Sequence, residues 1–278
     1  MNRFLGLPLW VALAAAALSL TGQPVRAQVQ ARQLLFLETF NAPLTSAKAQ
    51  TAQPPTWLTD DAHLRLIPAA GLDGSTALQV TYVPSAEGSE RIAINLPLRR
   101  RVSRARLAFD VRFNEAFRFA RGGKLLGLGP ARPVTGGDPR RPDGWSARAM
   151  WRENGHIATY LYEQQASKRF GIGQLSREPV LTAGEWHHIS MDLRLNDPGR
   201  ANGRVAIVVD GRPVAVSEDV QLRGEGAEGE TLIAQLLLHT FFGGSDTSYQ
   251  PRDSEGRPQM VTALLDNLQV TSDQPINE

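Results

Sequence analysis

Short runs in which apolar and polar residues alternate recur along most of this chain, and they constrain its fold more than any other feature. In residues 104–114, RARLAFDVRFN, the apolar Leu107, Phe109 and Val111 share one side of an extended strand, and charged residues share the other. No window of twelve or more residues beyond the N-terminal segment has a persuasive helical period. The pattern predicts an all-β fold, a jelly-roll β-sandwich in one domain. Similar runs, bounded by turn-forming residues, lie at 76–83, 91–98, 144–154, 155–164, 186–196, 203–217, 232–242 and 262–272.

Turns and loops between these runs add a hairpin and a candidate cleft. Asp210-Gly211 lies between two alternating runs and predicts a tight hairpin turn. The segments 130–143 and 243–259 are long and contain several glycines and prolines. Long loops on a rigid sandwich often border a binding site, so we expect them to flank a cleft.

The N-terminus has the organisation of a secretory signal peptide. Arg3 precedes an apolar run, and a Val-Arg-Ala sequence ending at Ala27 provides a cleavage site. A retained membrane anchor is the alternative, but the apolar run is short for one, and no later segment is apolar enough to span a bilayer. We therefore expect a secreted or periplasmic protein with a signal peptide (1–27), an N-terminal strand and flexible segment (28–60), and a β-sandwich (61–275).

Composition excludes several classes of function. The chain has 30 Lys and Arg against 28 Asp and Glu; cleavage would remove two arginines, leaving 28 of each and a net charge of zero. A general nucleic-acid binder is therefore not expected. The lack of cysteine excludes a thiol nucleophile, a thiolate metal site and an iron–sulfur cluster. The five histidines show no HExxH spacing. We expect a monomer with neither metal nor cofactor.

The segment 144–164 predicts a hairpin with a three-residue Glu-Asn-Gly turn. Strand residues whose numbers add to 308 would then be partners, so Ser146 faces Tyr162 and Arg148 faces Tyr160. A two-residue Asn-Gly loop would shift the register by one and turn the tryptophans of the first strand away from the apolar side of the second. The preferred register places a hydroxyl, a guanidinium and two phenols on one face.

Cations and phenols without paired carboxylates suit β-elimination better than glycoside hydrolysis. A uronic acid carries a C5 proton next to its carboxylate, and a cation at that carboxylate stabilises the charge that develops as the proton leaves. A tyrosine can accept the proton or give one to the leaving oxygen. We expect Arg148 to lower the pKa of Tyr160 and to favour its phenolate. A solvated sheet surface is the structural alternative.

One of only three lysines, Lys124, follows a Gly-Gly pair in RGGKLLGLG, whereas the chain has 27 arginines. This segment opens a series of motifs in a characteristic order and spacing. Together the motifs resemble polysaccharide lyase family 14, which includes alginate and glucuronan lyases, over roughly residues 100–272. The motifs are GGKLLGL (122–128), GWSARAMWR (144–152), TYLYEQ (159–164), GEWHHISMDLRLN (184–196), NGRVAIVVDGRPV (202–214) and HTFFGGSD (239–246).

The resemblance implies a jelly-roll with a cleft across one sheet and a metal-independent lyase that acts on an acidic polysaccharide of alginate or glucuronan type. Its catalytic set of one lysine, one serine, one arginine and two tyrosines corresponds to Lys124, Ser146, Arg148, Tyr160 and Tyr162. In this interpretation the lysine and arginine neutralise the substrate carboxylate, the serine orients a partner, and a tyrosine is base or acid. The alternative that the lysine is the catalytic base stays open.

Other basic residues are candidates for substrate binding: Arg140, Arg141, Arg152 and His239. Gly122 and Gly123 are expected to let a sugar approach the backbone. The basic segment 99–106, RRRVSRAR, is interpreted as a solvated edge, with steering of an anionic polymer as the alternative. Two other functions stay open: a sandwich that binds acidic glycans without cleaving them, and a structural protein of the cell envelope.

Overall fold

The computed structural model describes residues 32–41, 56–226 and 229–274. The first half of the chain contains β1 (Gln33–Glu38), a one-turn helix α1 (Thr56–Thr59), β2 (Leu64–Ile67), β3 (Ala77–Tyr82), β4 (Pro84–Ser85), β5 (Gly88–Ser89), β6 (Ile92–Val102) and β7 (Arg104–Phe113). The second half contains β8 (Gly122–Gly129), β9 (Ser146–Arg152), β10 (Ile157–Tyr162), β11 (Trp186–Arg194), β12 (Gly203–Val209), β13 (Arg212–Val220), β14 (Ile233–Phe242) and β15 (Val261–Ser272). The predicted signal peptide, 1–27, lies outside the described residues.

Two antiparallel sheets form the sandwich. The larger sheet has the order β13-β12-β11-β7-β15-β3-β2, and β1 pairs with β15. The smaller sheet has the order β10-β9-β8-β14-β6, and β4 and β5 form a separate two-stranded ribbon. The prediction of an all-β sandwich is confirmed. Because β1 joins the larger sheet, the N-terminal strand is part of the sandwich that was expected to begin at residue 61.

The apolar faces of the two sheets meet in one core. The alternation of β7 is confirmed, since Leu107, Phe109 and Val111 are fully buried there. Below the centre of the smaller sheet, Trp151 packs edge-to-face against Phe242, with ring centroids 5.1 Å apart, and against Tyr82 at 5.8 Å. Such rigid aromatic packing holds the strands of the smaller sheet in position for the residues on their outer face.

The segment 122–129 shows no alternation because the strand that it forms, β8, is covered on both faces. All eight of its residues are buried. Strands buried on both sides read as continuous apolar runs, so periodicity does not reveal them. The predicted Asp210-Gly211 turn is confirmed: it joins β12 to β13, and both residues have positive φ. Among the described residues, no helix is long and apolar enough to cross a bilayer.

Candidate active site

The hairpin of β9 and β10 brings four candidate residues together on the outer face of the smaller sheet. Arg148 pairs with Tyr160 and Ser146 with Tyr162, so the predicted register is confirmed. On the neighbouring strand β8, Lys124 pairs with Met150 of β9. Residues of β9 with even numbers share this face, and Lys124 therefore joins the same group.

The turn reaches this register by a different route from the one predicted. Both Asn154 and Gly155 have positive φ, and the His156 amide donates to the Glu153 carbonyl, as in a two-residue turn. The Arg152 amide donates to the His156 carbonyl at 2.8 Å. Arg152 and Glu153 therefore both oppose His156, and this bulge beside the turn restores the register that a two-residue loop alone would lose.

A second bulge, in β8, decides where the Lys124 side chain lies. Lys124 pairs with Met150, but Gly127 pairs with Arg148, so two residues of β8 face a single residue of β9 between these points. These two residues of β8, Leu125 and Leu126, both enter the core. Without this irregularity, strict alternation would place positions 124 and 127 on opposite faces.

Gly127 provides the room in which the Arg148 side chain lies. A Cβ at this position would approach the Arg148 Cγ to 2.5 Å and the Ala147 carbonyl oxygen more closely still. The backbone of Gly127 does not have positive φ, so the requirement for glycine is steric. Arg148 can therefore extend across β8 towards β14.

Replacing Gly127 with alanine should force the Arg148 side chain and the β8–β9 ladder apart. We expect a loss of about 1–3 kcal/mol in the free energy of unfolding, measured by urea denaturation. Gly129→Ala is the matched control on the same face of β8. There the nearest atoms are the Leu237 Cδ1 at 3.1 Å and the Pro133 Cβ at 3.2 Å. Equal effects of the two substitutions would contradict this account.

The expectation that Gly122 and Gly123 admit a sugar is wrong, because protein atoms fill the space beside both. A Cβ on Gly123 would enter the Trp151 ring, and one on Gly122 would lie 2.6 Å from the Trp151 carbonyl oxygen. The Gly-Gly pair therefore lets β8 pack against β9 and its tryptophan.

Arg148 is completely buried and is held by neutral partners. Its Nη1 donates to the Ser146 Oγ at 2.6 Å, and that hydroxyl donates to the Val134 carbonyl at 2.6 Å. Its Nη2 donates to the His239 Nδ1 at 3.1 Å. Because a guanidinium can only donate, the His239 proton must lie on Nε2, which donates to the Asn95 Oδ1 at 2.9 Å.

The charge states of these groups follow from their burial. Burial lowers the pKa of Arg148 to about 10, so its guanidinium stays charged at neutral pH. Burial, and then the positive charges of Arg148 and Lys124, lower the pKa of His239 to about 3. His239 is therefore a neutral acceptor beneath the site. It does not line the pocket, so its predicted contact with substrate is replaced by one with Arg148.

Lys124 lies above Arg148 in a pocket of about 200 Å³ and is 8% exposed. Its Nζ is 4.8 Å from the Phe241 ring centroid and 5.6 Å from that of Tyr160. It has no hydrogen bond or ion pair with any residue that the structure describes. Burial, and then the positive charges of Arg148 and Arg91, lower the pKa of its ammonium to about 7. Neutral and charged forms therefore coexist near neutral pH.

The two tyrosines accept hydrogen bonds from loops that cover the sheet. The Tyr160 Oη accepts from the Gly171 amide at 3.2 Å, and the Tyr162 Oη accepts from the Gly137 amide at 3.0 Å. Burial, and then the neighbouring Tyr162 phenol, raise the pKa of Tyr160 above its ordinary value. The expectation that Arg148 favours the phenolate is wrong, because desolvation of Tyr160 is the larger effect. Tyr160 stays protonated and can donate.

Three loops border the pocket. The predicted loops 130–143 and 243–259 contribute Gly136 and Tyr249, respectively, and a third loop, absent from the prediction, contributes Phe170. Arg91 and Phe241 also line it and were missed. Phe241 lies two residues after His239 in HTFF, and residues two apart in a strand share a face. Strand alternation could therefore have identified Phe241 as a site residue. No local signal marks the arginine.

The remaining candidates occupy different places. Arg152 lines this pocket and an adjoining cavity of about 660 Å³ towards the hairpin tip, as Tyr249 also does. Arg140 stacks on the Tyr162 ring, with its Cζ 4.6 Å from the centroid, and donates to a loop carbonyl. Arg141 ion-pairs with Asp143 at 3.3 Å and does not line the pocket. The structure thus places Arg152 in the site. Arg140 packs on a residue of the site without lining the pocket, and Arg141 lies outside it.

Comparison with known proteins agrees with the fold. A family model described as polysaccharide lyase 14 matches residues 74–256, two thirds of the chain. The chain belongs to polysaccharide lyase family 14. All five residues of the predicted catalytic set lie within the matched region. No curated protein matches the chain significantly.

Solved structures similar to this family member include alginate and glucuronan lyases. A variant of alginate lyase Aly36B with bound alginate trisaccharide is 21% identical, covers 87% of this chain and 99% of that chain, and gives a TM-score of 0.64. The alginate lyase from Aplysia kurodai is 20% identical, with coverage of 86% and 99% and a TM-score of 0.61. The endo-β-1,4-glucuronan lyase from the fungus Trichoderma reesei is 15% identical, with coverage of 75% and 86% and a TM-score of 0.53.

Proposed function

We propose that this polysaccharide lyase cleaves a uronate-containing polymer of alginate or glucuronan type by β-elimination. The observation that carries the proposal is that two cationic side chains, Lys124 and the fully buried Arg148, lie close together. No carboxylate is among the described residues that line the pocket. A buried cation without a counter-ion is costly. The site is therefore suited to an anionic ligand that brings the missing negative charge.

The lowered pKa of Lys124 and the raised pKa of Tyr160 support a division of roles between them. The Lys124 amine accepts the C5 proton of the uronate, and the electron pair of the C5–H bond forms the C4=C5 double bond. The C4–O bond breaks, and the Tyr160 phenol gives its proton to the leaving glycosidic oxygen. The products are a new chain end and an unsaturated uronate, and proton exchange with water restores both residues.

This proposal changes the roles expected of Arg148 and Ser146. Arg148 has no exposed surface, so it acts on Lys124 from below and keeps part of the amine neutral. Ser146 holds the guanidinium in that place through a 2.6 Å hydrogen bond. The substrate carboxylate is met instead by the guanidiniums of Arg91 and Arg152, which line the pocket. They stabilise the negative charge that builds up next to C5.

Formation of the unsaturated uronate tests the proposal, because the new conjugated double bond absorbs in the ultraviolet. Alginate, glucuronan and pectate are each supplied to the wild-type protein and to Lys124→Ala, and both proteins are checked for thermal unfolding. We expect an absorbance increase with at least one polymer and none with the variant. The absence of product from every polymer, or full activity of a folded Lys124→Ala, would overturn the proposal.

A further inference from the structure

A row of three arginines crosses the outer face of the larger sheet, the sheet that does not carry the active site. Arg194 of β11 has Arg104 of β7 as its partner on one side and Arg204 of β12 on the other. Neighbouring strands lie about 4.8 Å apart, so the three side chains form a straight line perpendicular to the strands. The row lies in a groove of about 210 Å³.

Carboxylates near this row balance only part of its charge. Arg204 pairs with Glu218 at 2.8 Å. Next to the row, Asp192 accepts two hydrogen bonds from Arg106, at 2.7 and 2.6 Å, and lies 3.6 Å from Arg32. Asp273 also lines the groove.

By contrast, Arg104 and Arg194 are exposed, and their guanidiniums have no hydrogen bond or ion pair with any described residue. Five guanidiniums and two carboxylates therefore line one groove.

Like charges directly opposite each other on adjacent strands destabilise a sheet. Two such pairs share Arg194, although polar residues without charge would fit the same exposed positions. A local rule that is broken without a compensating contact is typical of a functional surface. The basic segment 99–106, interpreted above as a solvated edge, contributes Arg104 and Arg106 to this groove.

We propose that this arginine row (Arg104, Arg194 and Arg204) is a second binding site for an acidic polysaccharide, remote from the active site. The spacing of the row is comparable to the length of one 1,4-linked pyranose, so an extended polymer with one carboxylate per sugar can face successive guanidiniums. The choice of this polymer rests on the proposed function. A duplex nucleic acid fits less well, because the expected mature chain has equal numbers of basic and acidic residues.

A second site of this kind would hold a long polymer while the active site acts on it. Two linked binding events raise the overall affinity for a chain that reaches both, and they leave the affinity for a short oligosaccharide unchanged. Loss of the row should therefore raise KM for the polymer and leave kcat, and the rate with a short oligosaccharide, unaltered.

Affinity electrophoresis through gels that contain sodium alginate or glucuronan tests the site in the Lys124→Ala background, where the polymer stays intact. The double substitution Arg104→Ser/Arg194→Ser should weaken retardation by about five- to tenfold in apparent Kd, the effect of losing two exposed ion pairs. Arg65→Ser, an exposed arginine of β2 in the same sheet, is the matched control and should have no effect.

Two outcomes would overturn this inference: unchanged retardation of the double variant, or tighter binding to duplex DNA than to either polymer. The active-site proposal is tested separately, by product formation in the wild-type protein. A protein that binds through the row and releases no unsaturated product would refute the proposed reaction while supporting the second site. If the protein forms product and the double substitution leaves KM for the polymer unchanged, the proposed reaction is supported and the second site is refuted.

Discussion

Replacement of Lys124 with arginine is expected to lower kcat/KM by about 10²–10⁴-fold, as much as replacement with alanine, because a base is lost in both. A guanidinium keeps its proton throughout the accessible pH range, so it can match the charge of lysine but cannot accept the C5 proton. A lysine that only neutralised the substrate carboxylate would tolerate this change. The variant therefore separates the two roles that the sequence left open.

Lys168→Arg is the matched control for this experiment. Lys168 lines the adjoining cavity, and its replacement makes the same chemical change outside the proposed catalytic set. It should retain activity, and all variants should unfold at temperatures close to that of the wild-type protein. An Lys124→Arg variant that keeps more than a tenth of the wild-type kcat/KM would refute the lysine as base.

Removal of the Tyr160 hydroxyl is expected to have an effect of the same order. Tyr160→Phe should lower kcat/KM by about 10²–10⁴-fold, because the leaving oxygen loses its proton donor. Both tyrosines line the pocket, but Tyr162 is completely buried whereas Tyr160 keeps 8% of its surface exposed. Tyr162→Phe should therefore cost less, through the lost hydrogen bond to the Gly137 amide. A larger loss for Tyr162→Phe would reverse the assignment of the acid.

The pH dependence of kcat/KM reports the same assignment, since it follows the ionisation of free-enzyme groups. The base must be neutral, and the pKa of Lys124 is about 7, so kcat/KM should rise with pH through this value. The acid must be protonated, and the pKa of Tyr160 is raised, so the profile should stay level well into the alkaline range. An activity that falls as pH rises through about 7 would mean that the ammonium is the active form.

Local pattern was enough to predict the hairpin of the active site. The tryptophans of β9 and the apolar residues of β10 must face the same core, and this requirement set the register of Arg148 against Tyr160. The turn was predicted with the wrong backbone, yet the register was right, because core packing selects the bulge that restores it. Side-chain burial, rather than turn type, was the stronger signal.

Properties that depend on distant contacts could not be read in the same way. Lys124 reaches the face of Arg148 only because β8 contains a bulge, and a strand with both faces buried has no alternation that would reveal it. The full burial of Arg148 depends on His239 of β14 and on Gly127. Burial raises the pKa of Tyr160, and the loop residue Gly171, which no sequence pattern placed over the sheet, packs beside the Tyr160 ring.

The central claim is that a largely buried lysine beside a buried arginine is half neutral near pH 7, and NMR titration of lysine Cε tests it most directly. The chain has only three lysines, so protein labelled with ¹³Cε-lysine gives three signals, and Lys124→Arg identifies one of them. We predict that this signal titrates with a midpoint of about 7, and that Arg148→Met moves the midpoint upward. If the Lys124 signal titrated near the ordinary lysine value of about 10.4, the account would be contradicted.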